Sequence, residues 1–142
     1  MANVIPYAFR GELLSGTHNF ASGGNTFKLA LYTANPYDTS STVYVTTNEV
    51  SSAGGTNYTA AGNTLSGNAV AYGTAVASCD FSDTSWTSAT ITAAFGTIYN
   101  SSASNKVAVV LDFSGDKTCT NGTFTISFPS PSTPADAIIS MA

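Results

Sequence analysis

Apolar and polar residues alternate along most of this chain with a period of two, the mark of β-strands that bury one face. Residues 26–33 read TFKLALYT, which sets Phe27, Leu29 and Leu31 on one side and Lys28, Ala30 and Tyr32 on the other. Residues 121–128, NGTFTISF, turn Phe124, Ile126 and Phe128 inward and three hydroxyl residues outward. Residues 106–113, KVAVVLDF, point Val107, Val109, Leu111 and Phe113 one way, with Ala108 and Val110 making the other face partly apolar too. Weaker alternation predicts strands over 63–72 (Leu65, Gly67, Ala69 and Ala71 inward), 75–81 (Ala75, Ala77, Cys79, Phe81) and 88–99 (Ala89, Ile91, Ala93, Phe95), with a bulge at Gly96. A closing strand is expected over 136–141, and a short edge piece over 42–45.

Turn chemistry divides these runs. Gly23-Gly24-Asn25, Asn35-Pro36, Gly54-Gly55, Asp83-Thr84-Ser85, Asn100-Ser101-Ser102 and Ser114-Gly115-Asp116 are loops by residue type, and Pro129, Pro131 and Pro134 make an extended connector. Helix is expected only as a single turn near residues 46–50. About eight strands with turns at short intervals predict an all-β chain, a single-domain two-sheet antiparallel β-sandwich, jelly-roll-like in its connections. Residues 21–142 form that sandwich. Residues 1–20 are more apolar and less regular, with Val4, Ile5, Tyr7, Phe9, Leu13 and Leu14 close together; they supply either a first strand or an arm lying on a neighbouring subunit.

Composition narrows the function. Ser and Thr make up 40 of 142 residues, while Lys and Arg number only 4 and the net charge is −4. Binding nucleic acid needs clustered cations, and Arg10, Lys28, Lys106 and Lys117 are scattered. A neutral, hydroxyl-rich surface associates readily and favours life in an assembly. The opening residues Met1-Ala2-Asn3-Val4-Ile5-Pro6 lack the basic and apolar regions of a signal peptide, and the longest aliphatic run, 107–111, is too short to span a membrane. Cys79 and Cys119 can pair if the fold brings them together; a chain made in a reducing cytoplasm keeps them as thiols.

Catalytic machinery is sparse. His18 is the only histidine, no nucleophile elbow accompanies it, and it reads as a polar loop residue. Asp80 with Asp83, and Asp112 with Asp116, are spaced as calcium ligands could be, but each is more simply a turn residue bonding its own backbone. No zinc spacing and no phosphate cradle is present, so no metal, no cofactor and no enzymatic activity is expected. The aromatics are the stronger candidates. Tyr37, Tyr58, Tyr72 and Trp86 fall in loops or on polar faces; Trp86 and Tyr99 read as caps on the core, and Tyr32 and Tyr44 as interface anchors, with Val4, Ile5, Tyr7 and Phe9 of the first segment.

Several segments, taken in order, resemble a group of small virion proteins of tailed bacteriophages. They are Phe27-Lys28-Leu29-Ala30-Leu31-Tyr32, Asn48-Glu49-Val50 leading to Tyr58-Thr59-Ala60-Ala61-Gly62, Trp86, the strand ending in Ile98-Tyr99-Asn100, Val110-Leu111-Asp112-Phe113-Ser114-Gly115-Asp116-Lys117, and Gly122-Thr123-Phe124-Thr125-Ile126-Ser127-Phe128-Pro129. Asn57, Ala61 and Ser114 depart from that pattern, standing where glycine is expected. The resemblance implies a capsid decoration or cement protein with no catalytic residues. It also implies binding across junctions of the major capsid protein, self-association as a homodimer or homotrimer, and a place on the capsid surface after synthesis in the host cytoplasm. The alternative is a tail or fibre module that binds host carbohydrate through the tyrosines and Trp86.

Overall fold

The most regular alternation in the sequence becomes the middle of the larger sheet. In the computed structural model, which describes residues 3–73, 75–129 and 137–141, β1 (Phe27–Tyr32) lies between β2 (Asn63–Thr64) and β5 (Thr84–Asn100), and β6 (Lys106–Ile126) follows β5. A smaller sheet places β4 (Ala77–Asp80) between β3 (Ala69–Tyr72) and β7 (Ile139–Met141). Every pairing is antiparallel. The chain is therefore an all-β two-sheet sandwich. Its described strands divide four and three between the sheets.

Two apolar clusters explain why β1 is buried on both faces. Phe27, Leu29, Leu31, Ile91, Ile98 and Val109 of the large sheet pack with Cys79 and Ile139 of the small one. On the opposite face Ala30, Tyr32, Tyr99, Val107 and Val110 are covered by Tyr37, Tyr44, Val45 and Val4. Each Val, Leu, Ile or Phe side chain among them, taken wholly out of water, contributes about 1.5–3 kcal/mol.

Residues 106–113 and 121–128 are one strand rather than two. β5 is 17 residues long and β6 is 21, so they run side by side well beyond the reach of β1. Ser114 (φ 58°) and Gly115 (φ 107°) do adopt turn dihedrals. The chain nonetheless continues in the same direction: Ala93 faces Lys117 and Phe95 faces Asp112, leaving residues 113–116 opposite Ala94 alone as a wide bulge. A smaller bulge at Ala108, between the Ile98–Val109 and Tyr99–Val107 pairs, shifts the phase of β6. Val107 thereby joins Val110 in the second cluster, whereas Val109 faces the main core. The bulge expected at Gly96 lies on either side of it, and Gly96 itself pairs with Leu111. Packing there is tight, since a Cβ would sit 3.0 Å from the Phe113 ring and 3.2 Å from the Leu29 side chain, and both would have to give by a few tenths of an ångström.

Other expectations are corrected. Gly67 (φ +65°) breaks the strand read over 63–72, sending β2 to one sheet and β3 to the other. Burial along β3 keeps the expected alternation, with Ala69 and Ala71 half-covered and Val70 and Tyr72 exposed, while Val70 pairs with core residue Cys79. Residues 42–45 make one bridge, Val43 to Lys106, and residues 46–50 form a turn with a Glu49–Tyr32 bridge instead of a helix. Pro131, Pro134 and the start of the closing strand lie outside the described residues.

The first segment is neither a strand nor a free arm. It forms α1 (Tyr7–Leu14), where the helix formers Ala8, Arg10, Glu12, Leu13 and Leu14 concentrate after Pro6. Gly16 (φ +74°) ends it: its N–H donates to Leu13 O (3.1 Å) and that of Thr17 to Glu12 O (2.8 Å), a Schellman closure. Phe9 is fully buried in the chain's own core, against His18 and Phe20.

Candidate functional site

The six residues read as interface anchors have different fates. Phe9 and Tyr32 are completely enclosed and have no ring surface to offer a partner. Val4 is half-buried in a two-way backbone bridge with Val110, and Ile5 packs on the main core. Tyr44 stacks on Tyr99 with ring centres 4.6 Å apart. Only Tyr7 is open, 63% exposed, with the Arg10 guanidinium 5.5 Å from its ring centre. Trp86 and Tyr99 are buried as core aromatics.

Tyr32 and Tyr44 belong instead to a network centred on Glu49. The Glu49 carboxylate accepts hydrogen bonds from Tyr44 (2.5 Å), Tyr58 (2.7 Å) and the Ala61 N–H (2.7 Å). Tyr58 in turn accepts the Leu31 N–H, the Tyr32 hydroxyl donates to Val45 O and meets that of Tyr37, and Tyr99 donates to Ala61 O. Burial raises the pKa of all five phenols, Tyr99 to about 12, and the negative charge of Glu49 adds to each shift. These rings fasten the 33–62 excursion to the sheet and cannot stack on a ligand. One signal was legible beforehand, a rare glutamate with Tyr44 and Tyr58 in the same stretch of chain.

His18 is likewise structural. It is buried, not a solvated loop residue: Asn100 donates to its Nδ1 (3.0 Å) and its Nε2–H donates to Glu12 (2.9 Å). The orientation follows from Asn100, whose Oδ1 already accepts the Ser102 N–H. Both ring nitrogens are occupied, and a base needs one free. Glu12 also pairs with Lys106, tying α1 to β6. Burial pushes the Glu12 carboxyl upward, but the hydrogen bonds from Lys106 and His18 and the charge of Lys106 outweigh this and hold its pKa below the usual value.

Cys79 and Cys119 are free thiols, and burial, then Asp80, pushes Cys79 up to about 12, far from a reactive thiolate. Asp83 accepts the Phe128 N–H and Asp112 that of Ser114, as loop-bracing carboxylates do. Asp80 accepts its neighbour Phe81 N–H, while its second oxygen is buried without a hydrogen-bond partner. Among the described residues no three His, Cys, Asp or Glu side chains converge as metal ligands would.

The open feature is a groove of about 530 Å³ where the main core reaches solvent between α1 and the small sheet. Leu13, Phe20, Val70, Ala77, Ile139 and Met141 line it, with Cys79 among them. The register explains its chemistry: Val70–Cys79–Ile139 and Tyr72–Ala77–Met141 are successive rows on the core-facing side of that sheet. The first row is mostly covered, and the second runs past the cover. Met141 (58%) and Val70 (50%) of this lining stand exposed.

Compared with protein-family models, curated proteins and solved structures, the chain has no significant match. The fold and the groove therefore define only a class: a two-sheet antiparallel β-sandwich with a mostly apolar groove open to solvent.

Proposed function

We propose that this chain is a non-enzymatic structural protein of a tailed-bacteriophage particle, most simply a capsid decoration protein. It binds across junctions of the major capsid protein and to copies of itself, and it acts on the capsid surface after synthesis in the host cytoplasm. The observation that carries the reading is the pairing of an internally locked polar chemistry with an open apolar face. His18 and the tyrosines Tyr32, Tyr37, Tyr44, Tyr58 and Tyr99 are committed to the fold, so what remains for partners is adhesive surface. The ordered resemblance of residues 27–129 to small virion proteins points the same way. The carbohydrate-binding alternative has less support, because Tyr32, Tyr37, Tyr58 and Trp86 are buried and leave it only the exposed rings of Tyr72 and Tyr7.

The test is to add the purified protein to phage capsids that lack it and to image them. Ordered density at symmetry-related positions is expected. Bare capsids, at concentrations where the protein is folded, overturn the proposal.

A further inference from the structure

We propose that Asn121 is a site of spontaneous covalent modification: its side-chain amide cyclises onto the backbone nitrogen of Gly122 and ages to aspartate and isoaspartate, lengthening the main chain inside β6. This holds or fails without reference to a capsid.

Three observations carry it. First, among the asparagines of the chain Asn121 alone precedes a glycine. Cyclisation brings the nitrogen of the next residue onto Cγ, and a Cβ on that residue crowds the approach; glycine has none. Second, nothing holds the amide. Asn121 is exposed, and its side chain has no hydrogen-bond partner among the described residues. Eight of the other ten asparagines have side chains tied by hydrogen bonds. The remaining two, Asn48 and Asn105, are followed by Glu49 and Lys106 rather than glycine.

Third, the backbone at Asn121 is not locked into the ladder. Ala89 pairs with Gly122 and Ile91 with Cys119, so Thr120 and Asn121 together face Thr90 alone, a β-bulge. Asn121 takes φ 47°, a left-handed conformation in which asparagine is enriched. Thr90 gives its own N–H to Thr56 O, and the Asn121 N–H goes to the Thr90 hydroxyl (3.1 Å).

The chemistry needs only water and hydroxide. Hydroxide removes the Gly122 amide proton, and that nitrogen attacks Asn121 Cγ. The N–Cγ bond forms, the Cγ–Nδ2 bond breaks, and ammonia leaves with a proton taken from water, which restores the hydroxide. Water then opens the five-membered imide. Opening at Cγ leaves an ordinary aspartate; opening at the main-chain carbonyl routes the chain through the former side chain and gives isoaspartate. Either product adds one negative charge to a chain of net charge −4. Isoaspartate also adds one main-chain atom just where the ladder resumes at Gly122–Ala89 and runs on to Phe124–Trp86, a pair of core residues.

The test is to hold the full chain in warm, mildly alkaline buffer and map its peptides by mass spectrometry over time, with Gly122→Ala as the variant. Asn121 is expected to convert before every other asparagine, to two products one mass unit heavier, one of them a substrate for isoaspartyl methyltransferase. Gly122→Ala should slow the conversion and keep the fold, since a Cβ there meets its nearest atoms, Thr120 O and Cys119 Cβ, at 3.7 and 4.0 Å; circular dichroism certifies this. The isoaspartate form, separated chromatographically, should show a lower Tm than Asn121→Asp, which adds the same charge without the extra main-chain atom. An Asn121 that keeps its amide throughout overturns the proposal, as does conversion equally fast in Gly122→Ala. Equal Tm values for the isoaspartate form and Asn121→Asp overturn its claim on the β6 main chain.

Discussion

Ala61→Gly should stabilise this protein, and the reason is legible in one dihedral angle. Ala61 sits at φ 72°, in the left-handed region, where a Cβ meets the following carbonyl and costs about 1–2 kcal/mol. It is held there because its N–H donates to Glu49 at 2.7 Å and its carbonyl accepts from Tyr99 at 2.7 Å, both backbone bonds that glycine keeps. Ala61 is only half-buried, so losing its methyl forfeits little packing. Glycine brings a looser unfolded chain, worth about 0.5–1 kcal/mol against it. The balance is a gain of roughly 0.5–1 kcal/mol, or about 2–4 °C in Tm for a chain of this size. Urea unfolding should show a higher midpoint with an unchanged slope. The neighbouring Gly62→Ala supplies the contrast: at φ +73°, with a Cβ 1.9 Å from Leu29 O, it should lose more than about 2 kcal/mol. An Ala61→Gly protein less stable than the native one would refute the strain argument outright.

Glu49→Ala should cost about 2–3 kcal/mol in the same assay, since three donors lose a charged acceptor, while Glu49→Gln should cost about 1 kcal/mol or less; equal effects would deny Glu49 its central place. Alkaline titration should find the five clustered phenols ionising together with loss of the β-sheet signal. Their neutral forms are favoured by the fold, so this contribution is intact below the unfolded value of about 10 and is lost as pH rises through the higher folded values. Ionisation of the five near pH ~10 with the sheets intact would contradict that. Asp80→Asn should stabilise by about 1 kcal/mol at neutral pH, because burial and then Asp83 raise the carboxyl's pKa and one oxygen lacks a hydrogen bond. With a raised folded pKa, the native chain keeps this stability below the unfolded value of about 4 and loses it as pH climbs through the folded one, so the variant's gain should vanish in acid.

Alternation alone located the sheet-forming segments, because a strand with one wet face must repeat every two residues. It therefore placed Phe27, Leu29, Leu31, Ile91 and Phe124 in the core, all of them buried. It could not follow phase through irregular backbone. The bulge at Ala108 moves Val107 to the opposite face, and Gly67 hands the chain from one sheet to the other; both effects exist only once a partner strand is in place. The three departures from glycine at Asn57, Ala61 and Ser114 were visible as substitutions, yet only the fold displays that all three keep positive φ, at 55°, 72° and 58°.

Residue types along the chain determined that it would be a β-sandwich poor in charge and catalytic groups, since propensity and period act locally. Tertiary structure decided which polar and aromatic groups are spent inside. Tyr32 and His18 look available in the sequence and are locked by partners 13 and 82 residues away. Pairings at that separation follow from sheet registration, and no local pattern encodes them.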